Sequence, residues 1–172
     1  SRGLGDVYKR QHHMFLAVDF QLMGSSLKGT YLWPIVAISN ICQGSAAFGA
    51  WLIYKRRKMA KEEGLALTSG VSAFLGVTEP AMFGVNLPLK VPFFAAICTS
   101  GILGAVIGAN RVLGNVGVGG VPAFISIQSK YWYIYIPVIL LAMILPAVLT
   151  VIFSKFTKIK AKEMVENPND IK

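Results

Sequence analysis

Residues 76–87 read Gly-Val-Thr-Glu-Pro-Ala-Met-Phe-Gly-Val-Asn-Leu, an acidic Thr-Glu-Pro step set between apolar stretches. A charged side chain at the centre of a bilayer is costly, about 2.5–3.5 kcal/mol for Asp on insertion scales, so chains keep such groups where they are used. Pro80 removes a backbone donor, and Gly76 and Gly84 loosen the chain on either side, which breaks a continuous helix here. Irregular backbone at membrane depth is tolerated only where protein encloses it or a cavity is lined by it. Glu79 is therefore the first candidate for a binding or catalytic group.

The wider composition is that of a membrane chain. Hydrophobic residues make up 54% of the 172, charged residues only 15%, and mean hydropathy is +0.56, well beyond a soluble domain of this size. The net charge of +9 is not spread as a nucleic-acid footprint. It gathers in Lys55-Arg56-Arg57-Lys58 with Lys61, and in Lys155, Lys158, Lys160 and Lys162, each after a long apolar run. That is the positive-inside pattern, which places Lys55–Lys61 and the C-terminal tail in the cytoplasm. Cys42 and Cys98 lack CxxC spacing and neighbouring His ligands, so both read as small buried hydrophobes, with no metal site and no cofactor called for.

The three divisions expected along the chain are 1–11, 12–160 and 161–172. Ser1 to Gln11 shares no pattern with the rest of the chain and resembles translated sequencing-adaptor sequence; without it the formal charge falls from +9 to +7. The chain lacks an initial Met and reads as a fragment. Residues 161–172 are polar and turn-rich, a solvated tail or linker.

The expected architecture is an all-α integral membrane protein with about three transmembrane helices and a re-entrant hairpin carrying Glu79. A span needs roughly 20 apolar residues, and Thr30–Tyr54, Phe93–Leu113 and Tyr131–Phe153 qualify. The last opens on an aromatic belt of Tyr131, Trp132, Tyr133 and Tyr135, and its Pro137 and Pro146 are positions for kinks. Between the first two spans, the apolar part of 65–91 runs only from Leu65 to Val77, about 13 residues, which suits a half-helix. Charge parity agrees: with both basic clusters on one side, the chain between them crosses an even number of times, and spans two and three already supply two crossings. Gly114–Gln128, rich in Gly and Pro, reads as a loop or second short dip from the opposite side. Ser39, Asn40, Gln43 and Ser45 stand within the first span and must meet protein or water, either as interhelical hydrogen bonds or as cavity lining.

His12 and His13 are the only histidines. Adjacent histidines lack the i, i+4 spacing of a helical metal pair, but imidazole moves protons near neutrality. One of them beside Glu79 could hold a hydroxyl and manage its proton, as phosphoryl transfer to an alcohol requires.

Gly76-Val77-Thr78-Glu79-Pro80 resembles the GITEP-type signature of enzyme IIC, the membrane subunit of the phosphoenolpyruvate-dependent sugar phosphotransferase system, in its glucose superfamily. Phe83-Gly84-Val85-Asn86-Leu87 continues it, and His12-His13 matches the family's Gly-x-His-His motif without its glycine. Asp19 to Gly49, with Leu32-Trp33-Pro34-Ile35 and Ser39-Asn40-Ile41-Cys42-Gln43-Gly44-Ser45, is most similar to the sucrose, trehalose and β-glucoside branch, sucrose closest. The resemblance runs from His12 to about Lys162.

It implies a bacterial inner-membrane permease that binds an external sugar, carries it inward, and presents its 6-hydroxyl to a phosphocysteine on a cytoplasmic IIB domain. IIB is in turn served by IIA and HPr. By motif, Glu79 would bind sugar hydroxyls and act near the phosphorylated one, with His13 or His12 as partner. Thr78 and Pro80 would shape the hairpin tip, and Asn86 would add a sugar contact or serve as a turn residue. Trp33, Phe48 and Phe83 are the aromatics available for stacking, with core packing as the commoner use of such rings, and Arg111 reads as a snorkelling interfacial group. Neither Cys has the exposed electropositive setting of a IIB thiolate, and the family's N-terminal spans, which carry much of its dimer contact, are absent from this stretch. The competing reading from the residues is a secondary transporter that uses Glu79 for proton coupling at a broken helix.

Overall fold

The computed structural model describes residues 29–115, 117 and 119–156, with Gln21 and Gly24 besides, and side chains as far as Ser154. The helices are α1 (Leu32–Arg56), α2 (Ala60–Phe74), α3 (residues 79–89), α4 (Val91–Ala109) and α5 (Trp132–Phe156), with 3-10 turns at Val121–Ser126 and Ser129–Tyr131 before α5. Among the described residues, extended pairing is limited to the isolated bridges Thr30–Gly114 and Gly114–Ile127. Three helices among the described residues, within Leu32–Arg56, Val91–Ala109 and Ser129–Ser154, are long and apolar enough to cross a membrane. The all-α membrane architecture stands, with span ends shifted by a few residues from the sequence reading, as fraying termini lead one to expect.

α1 is the central post, in contact with α2, α4 and α5. Its middle is buried on all sides through Gly44, Ser45, Ala46, Ala47, Gly49 and Ala50, small residues that let neighbouring backbones approach in the absence of a hydrophobic drive between helices. A methyl on Gly49 would come within 2.9 Å of the Ala147 carbonyl, and one on Gly44 within 2.8 Å of the Phe74 ring. On the α5 side, the Ser45 hydroxyl donates to the Met143 carbonyl at 2.6 Å and accepts from the Ala147 N–H at 3.1 Å. It stands between two groups that an unbroken helix pairs with each other, next to Pro146, which has no N–H to offer; inserted side chains and prolines are the usual sources of helix bending. Tyr135, fully buried, donates to the Pro34 carbonyl at 3.3 Å and ties the other ends of α5 and α1.

Cys42 is buried in α1 as expected, but Cys98 is exposed. The inward stripe of α4 runs through Ala95, Ala96, Thr99, Leu103 and Ile107, and position 98 falls off that stripe, so the expectation of a buried thiol there does not hold.

The segment between the first two spans is a hairpin that covers half of α1. From the turn after Arg57, α2 runs back along α1, with Trp51 Nε1 donating to Glu63 at 3.2 Å near its start. Near its end the Phe48 and Phe74 rings stack at 5.1 Å. α2 ends opposite Gly44, midway along α1, and the chain then reverses. The returning arm, α3, packs Ala81 and Val85 against Ala47, Ala50, Tyr54, Ala66 and Ala73. The helical arm starts at Ala60, earlier than the Leu65 expected, because Lys61, Glu62 and Glu63 extend it as its polar first turn.

From the other side, the loop between α4 and α5 reaches in to meet the hairpin. Thr30 and Gly114 exchange backbone hydrogen bonds of 2.8 and 3.1 Å, and Asn115 N–H donates to Ser126 at 2.8 Å. Beyond them, Gly119 lies against Gly76 and the Asn40 side chain, while a Cβ on Gly120 would collide with the Phe74 carbonyl. The stretch read as a loop or second dip is therefore a dip whose glycines touch the tip of the first.

Candidate functional site

The tip is built by local chemistry. Leu75 closes α2, and Gly76 takes φ +107°, a conformation that side chains rarely adopt. Val77 N–H donates to the Ser72 carbonyl at 3.0 Å, and the Ser72 hydroxyl donates to the Val77 carbonyl at 3.1 Å. Thr78 occupies the position before α3, and its carbonyl accepts from Met82 N–H at 2.8 Å. Pro80 falls in the first turn of α3, where its missing N–H would have had no intrahelical partner. A residue read as a helix breaker is thus, in place, a helix starter.

Glu79 opens this helix and is exposed, on the N-terminal end where backbone N–H groups favour negative charge. Thr78 beside it is half-buried. Phe83, one turn on from Glu79, is 60% exposed. Of the other aromatics considered, Phe48 is engaged with Phe74 and, edge-on at 6.3 Å, with Trp51. Trp33 is half-buried, with its Nε1 enclosed and unpaired among the described residues. Phe83 is the ring that shares a face with the carboxylate. Arg111 lies exposed past the end of α4.

Asn86 is placed differently from the rest. It is fully buried, and its Nδ2 donates both to the Gln43 carbonyl at 2.9 Å and to Gln43 Oε1 at 2.7 Å. Because a backbone carbonyl only accepts, the Asn86 NH2 must face it, so the amide's orientation is fixed and both of its donors are spent. Its Oδ1 is enclosed without a partner among the described residues. The segment Met82–Asn86 is a π-helical turn within α3. The sequence singled out both Gln43 and Asn86, but nothing in their spacing pairs residues 43 apart, and no composition signals a π turn. Gln43 and Ser45 thus take the interhelical role left open for them. Asn40 borders Gly119.

His12 and His13 lie outside the described residues, as do the segments 1–11 and 161–172. A cavity of about 230 Å³ between the last turns of α1 and α5, lined by Ile53, Arg56, Arg57, Val151 and Ser154, shares no residue with the hairpin tip.

Residues 11–101 match the family model of the phosphotransferase system EIIC. The chain belongs to the EIIC family. It is 50% identical over 146 residues to the trehalose-specific EIIBC component of Bacillus subtilis (strain 168), covering 84% of this chain and 30% of that protein. It is 44% identical over 140 residues to the trehalose-specific EIIBC component of Escherichia coli (strain K12), covering 81% and 29%. With the sucrose-specific EIIBC component of Staphylococcus xylosus it shares 48% identity over 129 residues, covering 72% and 26%. This EIIC chain therefore spans about a third of the length of these curated relatives. No solved structure matches it. The trehalose-specific relatives are as similar as the sucrose-specific ones, which supports the branch that holds both sugars.

Proposed function

We propose that the protein containing this EIIC segment imports a disaccharide of the trehalose or sucrose kind and delivers it phosphorylated at a 6-hydroxyl. Trehalose and sucrose share an α-linked glucose, and that unit is the group this site takes. The observation that carries the reading is the position of Glu79: an exposed carboxylate opening a helix at the tip of a hairpin that stops midway along α1, in a chain of the EIIC family.

Glu79 accepts hydrogen bonds from sugar hydroxyls, as an ionised carboxylate with about four lone-pair sites can. His13 or His12, from the segment before α1, acts with it on the proton of the hydroxyl that takes the phosphoryl group. Thr78 sets the tip, and the Phe83 ring offers an apolar face to a pyranose ring. The phosphoryl group comes from a phosphocysteine on a IIB domain, as the EIIBC names of the relatives suggest, with IIA and HPr upstream and a homodimer as the assembled form. Phosphorylation on the Lys55–Lys61 side, the cytoplasmic one by the positive-inside rule, retains the sugar inside the cell.

The test is uptake of labelled trehalose and sucrose by cells carrying the full-length gene in a strain lacking its own permeases. Accumulation as sugar phosphate, dependent on the IIB cysteine, supports the proposal. Accumulation of unmodified sugar that collapses with the proton gradient overturns it in favour of proton-coupled transport.

A further inference from the structure

In an unbroken α-helix, a residue seven positions on returns to within about 20° of the starting face. Asn86 is seven residues after Glu79, so a regular α3 would carry both on one face. The π turn at Met82–Asn86 prevents this. A π turn accommodates one extra residue and rotates the helix beyond it by about a quarter of a turn. Asn86 accordingly shares the buried face of Ala81 and Val85, at 0%, 0% and 3% exposure respectively, while Glu79, Phe83 and Gly84 remain outside.

Two features single this arrangement out. π turns are rare within α-helices and occur frequently at functional sites. The Asn86 Oδ1 is also enclosed with no partner among the described residues, a condition most buried polar atoms avoid. What holds the residue in place is the pair of hydrogen bonds from its Nδ2 to Gln43, at 2.7 and 2.9 Å.

Resting on the reading of Glu79 as the sugar-binding carboxylate, we propose that Asn86 is a sugar ligand held in reserve, with Gln43 as its latch. Loss of the π turn rotates Asn86 out of its bonds to Gln43 and onto the Glu79 face. There its amide offers two donors and an acceptor to hydroxyls of the same sugar. The sugar thus selects the regular helix, because only that state presents both residues, and Gln43 sets how much of the protein starts latched.

The proposal fixes opposite signs for two substitutions on opposite ends of one hydrogen-bonded pair. In the purified full-length permease, Asn86→Leu weakens trehalose or sucrose binding about tenfold. Gln43→Leu removes the side-chain acceptor and tightens binding severalfold, and Gln43→Glu, which keeps an acceptor, shifts it less. In the double variant, Gln43→Leu has no further effect, since there is no amide left to release. Binding is measured on the monodisperse fraction of each variant, with thermal midpoints alongside, so that loss of folded protein is separated from loss of affinity. If Gln43→Leu weakens binding as Asn86→Leu does, or the two add, the pair only packs the hairpin and the latch is overturned. Glu79→Gln in the same assay distinguishes the two readings: sugar affinity unchanged by it overturns the site itself, whereas affinity lost by it with additive Gln43 and Asn86 effects overturns the latch alone.

Discussion

Gly119 lies against Gly76, so close that a methyl added to Gly76 would come within 3.0 Å of the Gly119 backbone. The loop that precedes α5 thereby rests on the turn that presents Glu79, and two stretches of irregular backbone meet midway along α1. Irregular backbone enclosed by protein is the form that a membrane tolerates.

Gly76→Ala is expected to disturb this junction, because Gly76 combines φ +107° with the close approach of Gly119. A side chain held in such a conformation costs about 1–3 kcal/mol. Gly64, in the second turn of α2 with nothing within 4 Å of an added Cβ, provides the contrast: Gly64→Ala stabilises by roughly 0.5–1 kcal/mol through helix propensity. Thermal unfolding of the two variants in detergent should move the midpoint in opposite directions.

Ser45→Ala removes the hydroxyl that stands between Met143 O and Ala147 N–H of α5. Interhelical hydrogen bonds in membrane proteins average about 0.6 kcal/mol and reach roughly 1.7, so a loss in that range is expected, smaller than for Gly49→Val. The latter drives a larger side chain toward Ala147 and Thr150, already within 2.9 Å of an added Cβ, and overpacking costs about 1–3 kcal/mol. Denaturation of both variants in one detergent checks the order.

Phe83→Ala is expected to raise the sugar KM with little change in thermal midpoint, since the ring is 60% exposed and shares the Glu79 face. Phe48→Ala should do the reverse, because that ring stacks on Phe74 at 5.1 Å and holds the two arms together. Uptake kinetics over a range of sugar concentrations, beside melting curves, separates the two roles.

The gross design was legible in the sequence because bilayer thickness, run length and basic clusters act locally. Thirteen or so apolar residues before Glu79 cannot cross, and with both basic clusters placed on one side charge parity requires the same half-crossing. The Thr78-Glu79-Pro80 motif marked the tip for similar reasons. Asn86 was less legible: its surroundings depend on a π turn and on Gln43, 43 residues away, and both arise from packing across helices. The exposure of Cys98 also escaped, because an apolar stretch with almost no amphipathic contrast does not say which of its faces turns inward. Pro80 was legible as the break between the two arms, and its place in the first turn of α3 follows from the same missing N–H.

Glu79, as proposed above, serves sugar phosphorylation coupled to transport. The most direct measurement is sugar-phosphate formation from labelled trehalose or sucrose by membranes carrying full-length permease with either Glu79 or Glu79→Gln, supplied with phosphoenolpyruvate and the soluble phosphocarriers. Sugar phosphate is expected from the former and none above background from the Gln variant at equal membrane abundance. Formation at the unsubstituted rate by Glu79→Gln would contradict it.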